Sequence, residues 1–304
     1  MAREETFPSY VLEDTETDLW FEEKLSKTTK STLRIKIKNM LWSEKSDFQN
    51  IAVFETERLG RMLVLDGIIM LTEFDEFAYH EMIAHVPLLT HPDPKSVLVI
   101  GGGDGGTVRE IVKHPGVEHV HLCEIDRRVV EVSREFLPRL SEGLDDPRVE
   151  CFFEDGAALA AERKNSYDVI IVDSSDPIGP AEVLFKEKFY RDMHDALRDG
   201  GIVVTQCESF YYHTGFIAGI MDFVRSIFPV YGYYSTNVPT YPSGVIGFAF
   251  CSKKHHPTRS YDKTRAAALP NLKYYSPEMH RSAFVLPRFV NSQMPDGVVN
   301  TMEG

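Results

Sequence analysis

Val97-Leu98-Val99-Ile100-Gly101-Gly102-Gly103-Asp104-Gly105-Gly106 is the stretch that decides the fold. Four consecutive apolar residues without alternation predict a strand buried on both faces. The glycines after them predict a tight turn opening into a helix. Working outward, residues 120–123, 149–153, 169–172 and 202–205 are further apolar strands. Helical patterns at 103–113, at 127–140 and in a short stretch after 153 lie between them. Strands alternating with helices of ~10–15 residues predict a doubly wound parallel sheet of the Rossmann-like α/β class. Residues 230–235 and 247–251 are expected to close that sheet as an antiparallel pair. Upstream, 33–37 alternates apolar and basic residues, and 49–54 and 61–65 are short apolar runs. The pair Asp66-Gly67 signals a hairpin, because both turn positions need positive φ. Thr72-Glu73-Phe74-Asp75 reads as a capping box, with Thr72 as N-cap of a helix running to about residue 89, and His91-Pro92-Asp93-Pro94 as a linker. The expected division is a small N-terminal β domain over 1–72, a connecting helix and linker over 73–95, and a Rossmann-like catalytic domain over 96–304.

Composition narrows the class of partner. Among 304 residues, 46 acidic side chains face 33 basic ones, a net charge of −13, which disfavours nucleic acid and anionic membranes and favours cations. No apolar run reaches the ~18 residues of a membrane span, and Met1-Ala2-Arg3-Glu4-Glu5 carries no signal-peptide pattern. Cys123, Cys151, Cys207 and Cys251 form no Cys-x-x-Cys pair and sit in strand-like runs, so free thiols in a cytoplasmic protein are expected.

The glycine loop satisfies Gly-x-Gly-x-x-Gly at Gly101, Gly103 and Gly106, and Glu124 ends the next strand 18 residues after Gly106. Such glycines allow close approach of a ligand, and the acidic residue can hold two ribose hydroxyls. Dehydrogenases and S-adenosylmethionine enzymes share this pattern. Asp104 separates them, since a carboxylate inside the loop opposes a dinucleotide pyrophosphate and suits a cation. Asp155-Gly156 ends the third strand, where an adenine amino group is commonly read; a plain loop aspartate is the alternative. Asp173-Ser174-Ser175-Asp176 ends the fourth strand, at the ligand-binding edge of open α/β sheets. These aspartates either cap the next segment or converge with Asp104 on a polycationic substrate. His80-Glu81-Met82-Ile83-Ala84-His85 looks like a zinc helix, but histidines five apart lie ~140° apart around the helix and share no ion easily. No metal is expected. His85 reads as a core or interface histidine, and His80 as a residue pointing into the cleft.

Leu65-Asp66-Gly67, the run 75–82, Gly101 to Gly106, Glu124-Ile125-Asp126, Asp173 to Pro180 and Pro239-Thr240-Tyr241-Pro242-Ser243-Gly244 together resemble the spermidine synthases, the polyamine aminopropyltransferases. The resemblance runs from about Trp20 to Phe289. It implies transfer of an aminopropyl group from decarboxylated S-adenosylmethionine to putrescine, giving spermidine and methylthioadenosine. The donor is then a co-substrate, and no cofactor is implied. By resemblance, Asp173 accepts the proton of the attacking amine and Tyr79 positions that amine. Asp104 holds the amine of the aminopropyl group, and Asp176 the far end of the diamine. His80 and Tyr241 line the polyamine channel, with Ser174 in the same motif. Gln49, Glu124, Asp155, Gly156 and Pro180, with the glycines at 101 and 103, hold the nucleoside. A homodimer or homotetramer is implied. Two departures stand out: Met70, where many members have Gln, and Phe210-Tyr211-Tyr212 in place of Phe-Trp after Glu-Ser. The residues allow putrescine, cadaverine, agmatine or spermidine as acceptor. A methyl-transfer enzyme and a non-catalytic polyamine sensor are the rival readings; Asp104 opposes the first, and Asp173 with Tyr79 opposes the second.

A sulfonium donor is already activated, so the protein must supply in-line orientation and a neutral nucleophile. An alkylammonium near pKa ~10 and an aspartate near ~4 differ by about 8 kcal/mol in proton affinity. Asp173 is therefore expected to have a raised pKa, through burial and neighbouring carboxylates.

Overall fold

The structure, a computed structural model, describes residues 10–14, 18–24, 31–177 and 179–299; the side chains at 12–14 and 179–180 lie outside this description. Two compact units result. The first takes the described residues up to Glu76 together with Pro239–Gly244, and the second takes Phe77–Val238 and the described residues from Val245.

The first unit is an antiparallel meander of six strands in sequence order: β1 (Val11–Asp14), β2 (Asp18–Lys24), β3 (Thr32–Lys45), β4 (Asn50–Thr56), β5 (Arg61–Leu65) and β6 (Ile68–Thr72). Alternate side chains Phe21, Ile35, Ile37, Ala52, Phe54, Met62, Val64 and Ile69 form its core, the period-2 pattern of a sheet with one buried face. Asp66 and Gly67 both have positive φ, as the tight β5–β6 hairpin requires. The capping-box expectation fails. Thr72 is still paired with Met62 in the sheet, and its hydroxyl donates to Asp75 Oδ1 at 2.7 Å instead of accepting from a helical N–H. The Asp75 carboxylate also accepts the backbone N–H and the hydroxyl of Thr240, at 2.8 and 2.9 Å, which draws the distant segment Pro239–Gly244 into this unit.

The helix then opens at Glu76 rather than directly after Thr72: α1 (Glu76–Thr90) leads to β7 (Ser96–Gly101). There follow α2 (Gly106–Val112), β8 (His119–Cys123), α3 (Arg127–Phe136), α4 (Pro138–Ser141), β9 (Val149–Phe152), α5 (Gly156–Glu162), β10 (Tyr167–Asp173), α6 (Glu187–Ala196), β11 (Leu197–Gln206), α7 (Phe210–Val224), β12 (Val230–Asn237) and β13 (Val245–Ser252). The expected helix over 127–140 is two helices. Pro138 lacks an N–H and disfavours helical backbone at the residue before it, and Leu137 accordingly sits at φ −128°, ψ 50°. The sheet order is β12-β13-β11-β10-β7-β8-β9, parallel from β11 to β9, with β13 antiparallel to both β11 and β12. Strands run outward on both sides of the β7–β10 pair, so the ligand crevice is expected at their carboxyl ends. The core of this unit joins Leu98, Ile100, Ile170, Val172 and Val203 of the sheet to Phe189, Met193, Ile217 and Met221 of the helices.

Helix α1 is fixed within this unit by polar contacts as well as packing. Tyr234 OH donates to the Met82 carbonyl at 3.0 Å, and the Thr236 hydroxyl to the Ala78 carbonyl at 3.2 Å. Glu81, between the two histidines, is buried and accepts the backbone N–H groups of Lys273, Tyr274 and Tyr275 at 2.8, 2.8 and 2.7 Å. Its role is to terminate three otherwise orphaned donors. Glu81→Ala would strand those N–H groups in the interior, with an expected loss of about 3 kcal/mol of stability. Urea unfolding checks this; a loss under about 1 kcal/mol would mean that water replaces the carboxylate.

Candidate active site

The carboxyl ends of β7 and β10 meet through their backbones. Register pairs Asp173 with Gly101, and the Gly102 N–H donates to the Asp173 carbonyl at 2.8 Å. Gly101 has φ 78°, and a Cβ on it would lie 2.2 Å from that carbonyl oxygen, so only glycine fits here. Both oxygens of the Asp173 carboxylate accept hydroxyls: Oδ1 from Tyr79 at 2.7 Å and Oδ2 from Thr107 at 2.6 Å. Burial first, and then the Asp104 carboxylate, push the Asp173 carboxyl up; His80 and the two hydroxyls pull it back only in part.

Asp104 answers its surroundings in the opposite sense. Burial raises its carboxyl, but His80 outweighs that, helped by the Gly106 N–H, and the net position is below the ordinary value. His80 Nε2 lies 3.3 Å from Asp104 Oδ1, and the Gly106 N–H donates to the same oxygen at 2.7 Å. The imidazole reaches this place only because residue 106 has no side chain, since a Cβ there would meet the ring at 2.4 Å. Ligand-type atoms of His80, Asp104 and Asp173 all lie within 4.8 Å of one another. Such a trio can hold a metal ion or an ammonium group.

Glu124, at the end of β8, is buried beside the glycine loop and accepts the Asp126 N–H at 2.9 Å. Burial pushes its carboxyl up to about 7, and the Asp126 N–H offsets this only partly. Asp155 caps α5, accepting the Ala157 N–H at 2.8 Å, and Gly156 packs flush against Ile100. Ser174 Oγ is buried with no hydrogen-bond partner, as is Gln206 Oε1 at the end of β11. Asp176 is pushed up to about 7 by burial and then by the Glu208 carboxylate, with His213 pulling the other way.

The structure thus brings Tyr79, His80, Asp104 and Asp173 into direct contact, with Gly101, Gly103 and Glu124 around the same loop. Gln49 and Tyr241 belong to the first unit. There the Gln49 carbonyl accepts the Ser46 N–H at 2.9 Å and the Gln49 N–H donates to the Ser46 hydroxyl at 3.0 Å, while Tyr241 OH donates to the Met70 carbonyl at 2.6 Å. The Pro180 side chain lies outside the described residues. His85 does not join His80: it is buried, with Nδ1 2.9 Å from His114 Nε2 and Nε2 3.1 Å from Glu110 Oε2. Thr107 was missed by the sequence reading. Its signal was its place in the first turn of the helix that follows the glycine loop, which faces the carboxyl edge of the sheet. Glu208 was likewise missed, although it lies two residues past the end of β11.

Comparison with known proteins identifies the family. A family model for the spermine/spermidine synthase domain matches residues 76–262, and one for the spermidine synthase tetramerisation domain matches 19–73. The chain belongs to the spermine/spermidine synthase family. A polyamine aminopropyltransferase of Leptospira biflexa is 51% identical over 276 residues, covering 90% of this chain and 98% of the relative. The spermidine synthase of Dictyostelium discoideum is 45% identical over 275 residues, covering 90% and 97%. A crystal structure of a spermidine synthase in complex with the transition-state analogue AdoDATO superposes with a TM-score of 0.88 at 42% identity, covering 90% of this chain and 94% of that one. The Rossmann-like sheet with a small preceding β domain is the fold of these synthases.

Glu124 yields a prediction independent of substrate. A folded-state value near 7 against an ordinary 4.5 means that the folded protein favours the neutral acid. Its contribution to stability is present below about pH 4.5 and is lost as pH rises through 7, a swing of about 3 kcal/mol. Glu124→Gln keeps an acceptor for the Asp126 N–H and removes the titration. Its stability relative to the parent should improve by about 2 kcal/mol between pH 5 and pH 8. Urea melts at both pH values that show a constant difference would contradict this.

Proposed function

We propose that this enzyme, an aminopropyltransferase of the spermidine synthase type, moves the aminopropyl group of decarboxylated S-adenosylmethionine to putrescine, giving spermidine and methylthioadenosine. The observation that carries the mechanism is the pair of unequal carboxylates, Asp104 held anionic beside His80 and Asp173 raised between two hydroxyls. Asp104 suits the aminopropyl ammonium of the donor. Asp173 suits the proton that the acceptor must lose. The amine nitrogen attacks the carbon next to the sulfonium, the new C–N bond forms as the C–S bond breaks, and sulfur keeps the electron pair as a neutral thioether. The displaced proton passes to Asp173, whose raised affinity narrows the gap to the amine. Tyr79 and Thr107 aim the carboxylate through their hydroxyls, which fits a positioning role for both.

Glu124 is assigned to the ribose hydroxyls and Asp155 with Gly156 to the adenine, on the glycine floor of Gly101 and Gly103. The family resemblance adds Gln49 and Pro180 to the nucleoside site, and Tyr241 to the polyamine site with Ser174 and Asp176. The unpaired Ser174 hydroxyl supports its place there. The match of 19–73 to a tetramerisation domain supports a homo-oligomer, which we assign as a homodimer or homotetramer. Among the described residues no helix is long and apolar enough to cross a membrane. The four free cysteines, three of them buried, favour a cytoplasmic site of action. His80, Asp104 and Asp173 are assigned to ammonium rather than to a metal, so turnover should survive dialysis against EDTA.

Methylthioadenosine released from the decarboxylated donor and putrescine is the decisive readout; neither a methyl-transfer enzyme nor a polyamine sensor would release it. In that assay Asp173→Asn should lower turnover at least ~10²-fold while methylthioadenosine binding changes little. Near-normal turnover would move the base elsewhere. The carboxylate of S-adenosylmethionine itself, within about 4 Å of Asp104, would be repelled by roughly 4 kcal/mol at an effective dielectric near 20. Asp104→Asn should therefore weaken the decarboxylated donor and relax exclusion of the carboxylated one. Calorimetry showing both weakened equally would make pocket shape the discriminator.

A further inference from the structure

Two backbone distortions meet at one ion pair. Glu208 has φ 59°, a region that glutamate avoids, and it is held there from two strands: its carbonyl accepts the Gly247 N–H at 3.0 Å and the Tyr233 hydroxyl at 2.7 Å. Five residues later, His213 breaks the helical geometry of α7 at φ −129°, ψ 27°. The outcome is that the buried Glu208 carboxylate, 7% exposed, lies 2.9 Å from His213 Nδ1. Strain kept in place by surrounding structure points to a use for the side chains it aims. Asp176 is the third member: it lies three residues past the end of β10, Glu208 two residues past the end of the paired strand β11, and the charges of Glu208 and His213 both act on it. These two acids are the charged groups that face His213, and Glu208 before Asp176 raises its proton affinity.

We infer that His213 sets the charge number of the amine this enzyme accepts: its imidazolium neutralises Glu208, leaving Asp176 one terminal ammonium to hold. Once a bound ammonium draws the proton off Asp176, two carboxylates and the imidazolium sum to −1, which matches the far end of a diamine. Without it the cluster carries −2, which matches an acceptor whose far end bears two ammonium groups. His213 is therefore a specificity-determining residue that touches no reacting atom, and a diamine is favoured over a triamine by charge rather than by length. Discrimination of this kind works by leaving the wrong partner uncompensated. The inference rests on the assignment of Asp176 to the far end of the acceptor.

The test is calorimetric titration of putrescine and of spermidine into the full-length protein saturated with the demethylated thioether analogue of the donor, whose unreactive aminopropyl arm fills the place at Asp104, for the parent, His213→Gln and His213→Lys. The parent is expected to prefer putrescine. His213→Gln, which fits the space without the charge, should shift the ratio of the two Kd values toward spermidine by about tenfold or more. His213→Lys, which restores a cation on a different shape, should return the ratio to within about twofold of the parent. Affinity for that analogue, measured first, should be the same in all three. If both amines weaken equally in His213→Gln, or if His213→Lys behaves as His213→Gln does, His213 only shapes α7 and the inference is overturned. A parent that binds neither amine would instead overturn the acceptor site itself, and the inference with it.

Discussion

The backbone contact between the end of β10 and the glycine turn after β7 is the constraint on which the site depends. Because the Gly102 N–H is bonded to the Asp173 carbonyl and Gly101 offers no side chain, the Asp173 carboxylate is delivered to a fixed point at the rim of the sheet. Thr107 reaches it because α2 starts within one turn of that loop, and Tyr79 reaches it because α1 is tied to β12 and to the backbone of 273–275. A side chain at 101 would separate the strands at the point where the candidate site is assembled. Carboxylates hung from a backbone contact lose less freedom on binding a ligand than carboxylates on long loops.

The acids around this rim illustrate how environment sorts chemically similar groups. Asp104 and Asp173 share a cluster with His80, yet one is held below its ordinary range and the other above it. The difference lies in their first neighbours: an imidazole and a helix-start N–H beside Asp104, neutral hydroxyls and another carboxylate beside Asp173. Glu124 and Asp176 are both drawn to about 7, mainly by burial. Pairs of titratable groups pushed apart in this way are the usual basis for dividing charge binding from proton transfer.

Much of this was legible in the residues. Unalternating apolar runs locate the strands of the second sheet, because strands buried on both faces must be apolar throughout, and the Asp-Gly turn locates the β5–β6 hairpin. Asp104, Glu124, Asp155, Asp173 and Asp176 follow from one rule, that ligands gather at strand carboxyl ends. What stayed hidden has a physical reason in each case. The Thr72 motif has the spacing of a capping box, but strand pairing with Met62 and the acceptance of Thr240 by Asp75 are long-range effects that local spacing does not encode. The break before Pro138 in the helix expected over 127–140 was missed although local rules encode it, since proline disfavours helical backbone at the residue before it. Thr107 and Glu208 are ordinary residue types, and only three-dimensional juxtaposition gives them meaning. His85 looked like half of a motif with His80, and helical geometry correctly separated them.

The segment Pro239–Gly244 has a consequence for how the chain comes to be folded. It is carried in the turn between β12 and β13, yet it completes the N-terminal unit through Thr240 on Asp75 and Tyr241 on Met70, at sequence separations of 165 and 171. On the ribosome the meander of β1 to β6 emerges first and must wait for most of the chain before Asp75 finds its donors. Closure of a loop this long adds little to the equilibrium cost, since that cost grows only with the logarithm of length, but it delays the contact. The N-terminal unit is therefore completed only when this late segment arrives. Exchanging this module between relatives would require moving two pieces of gene together, the N-terminal stretch and a hexapeptide encoded far downstream.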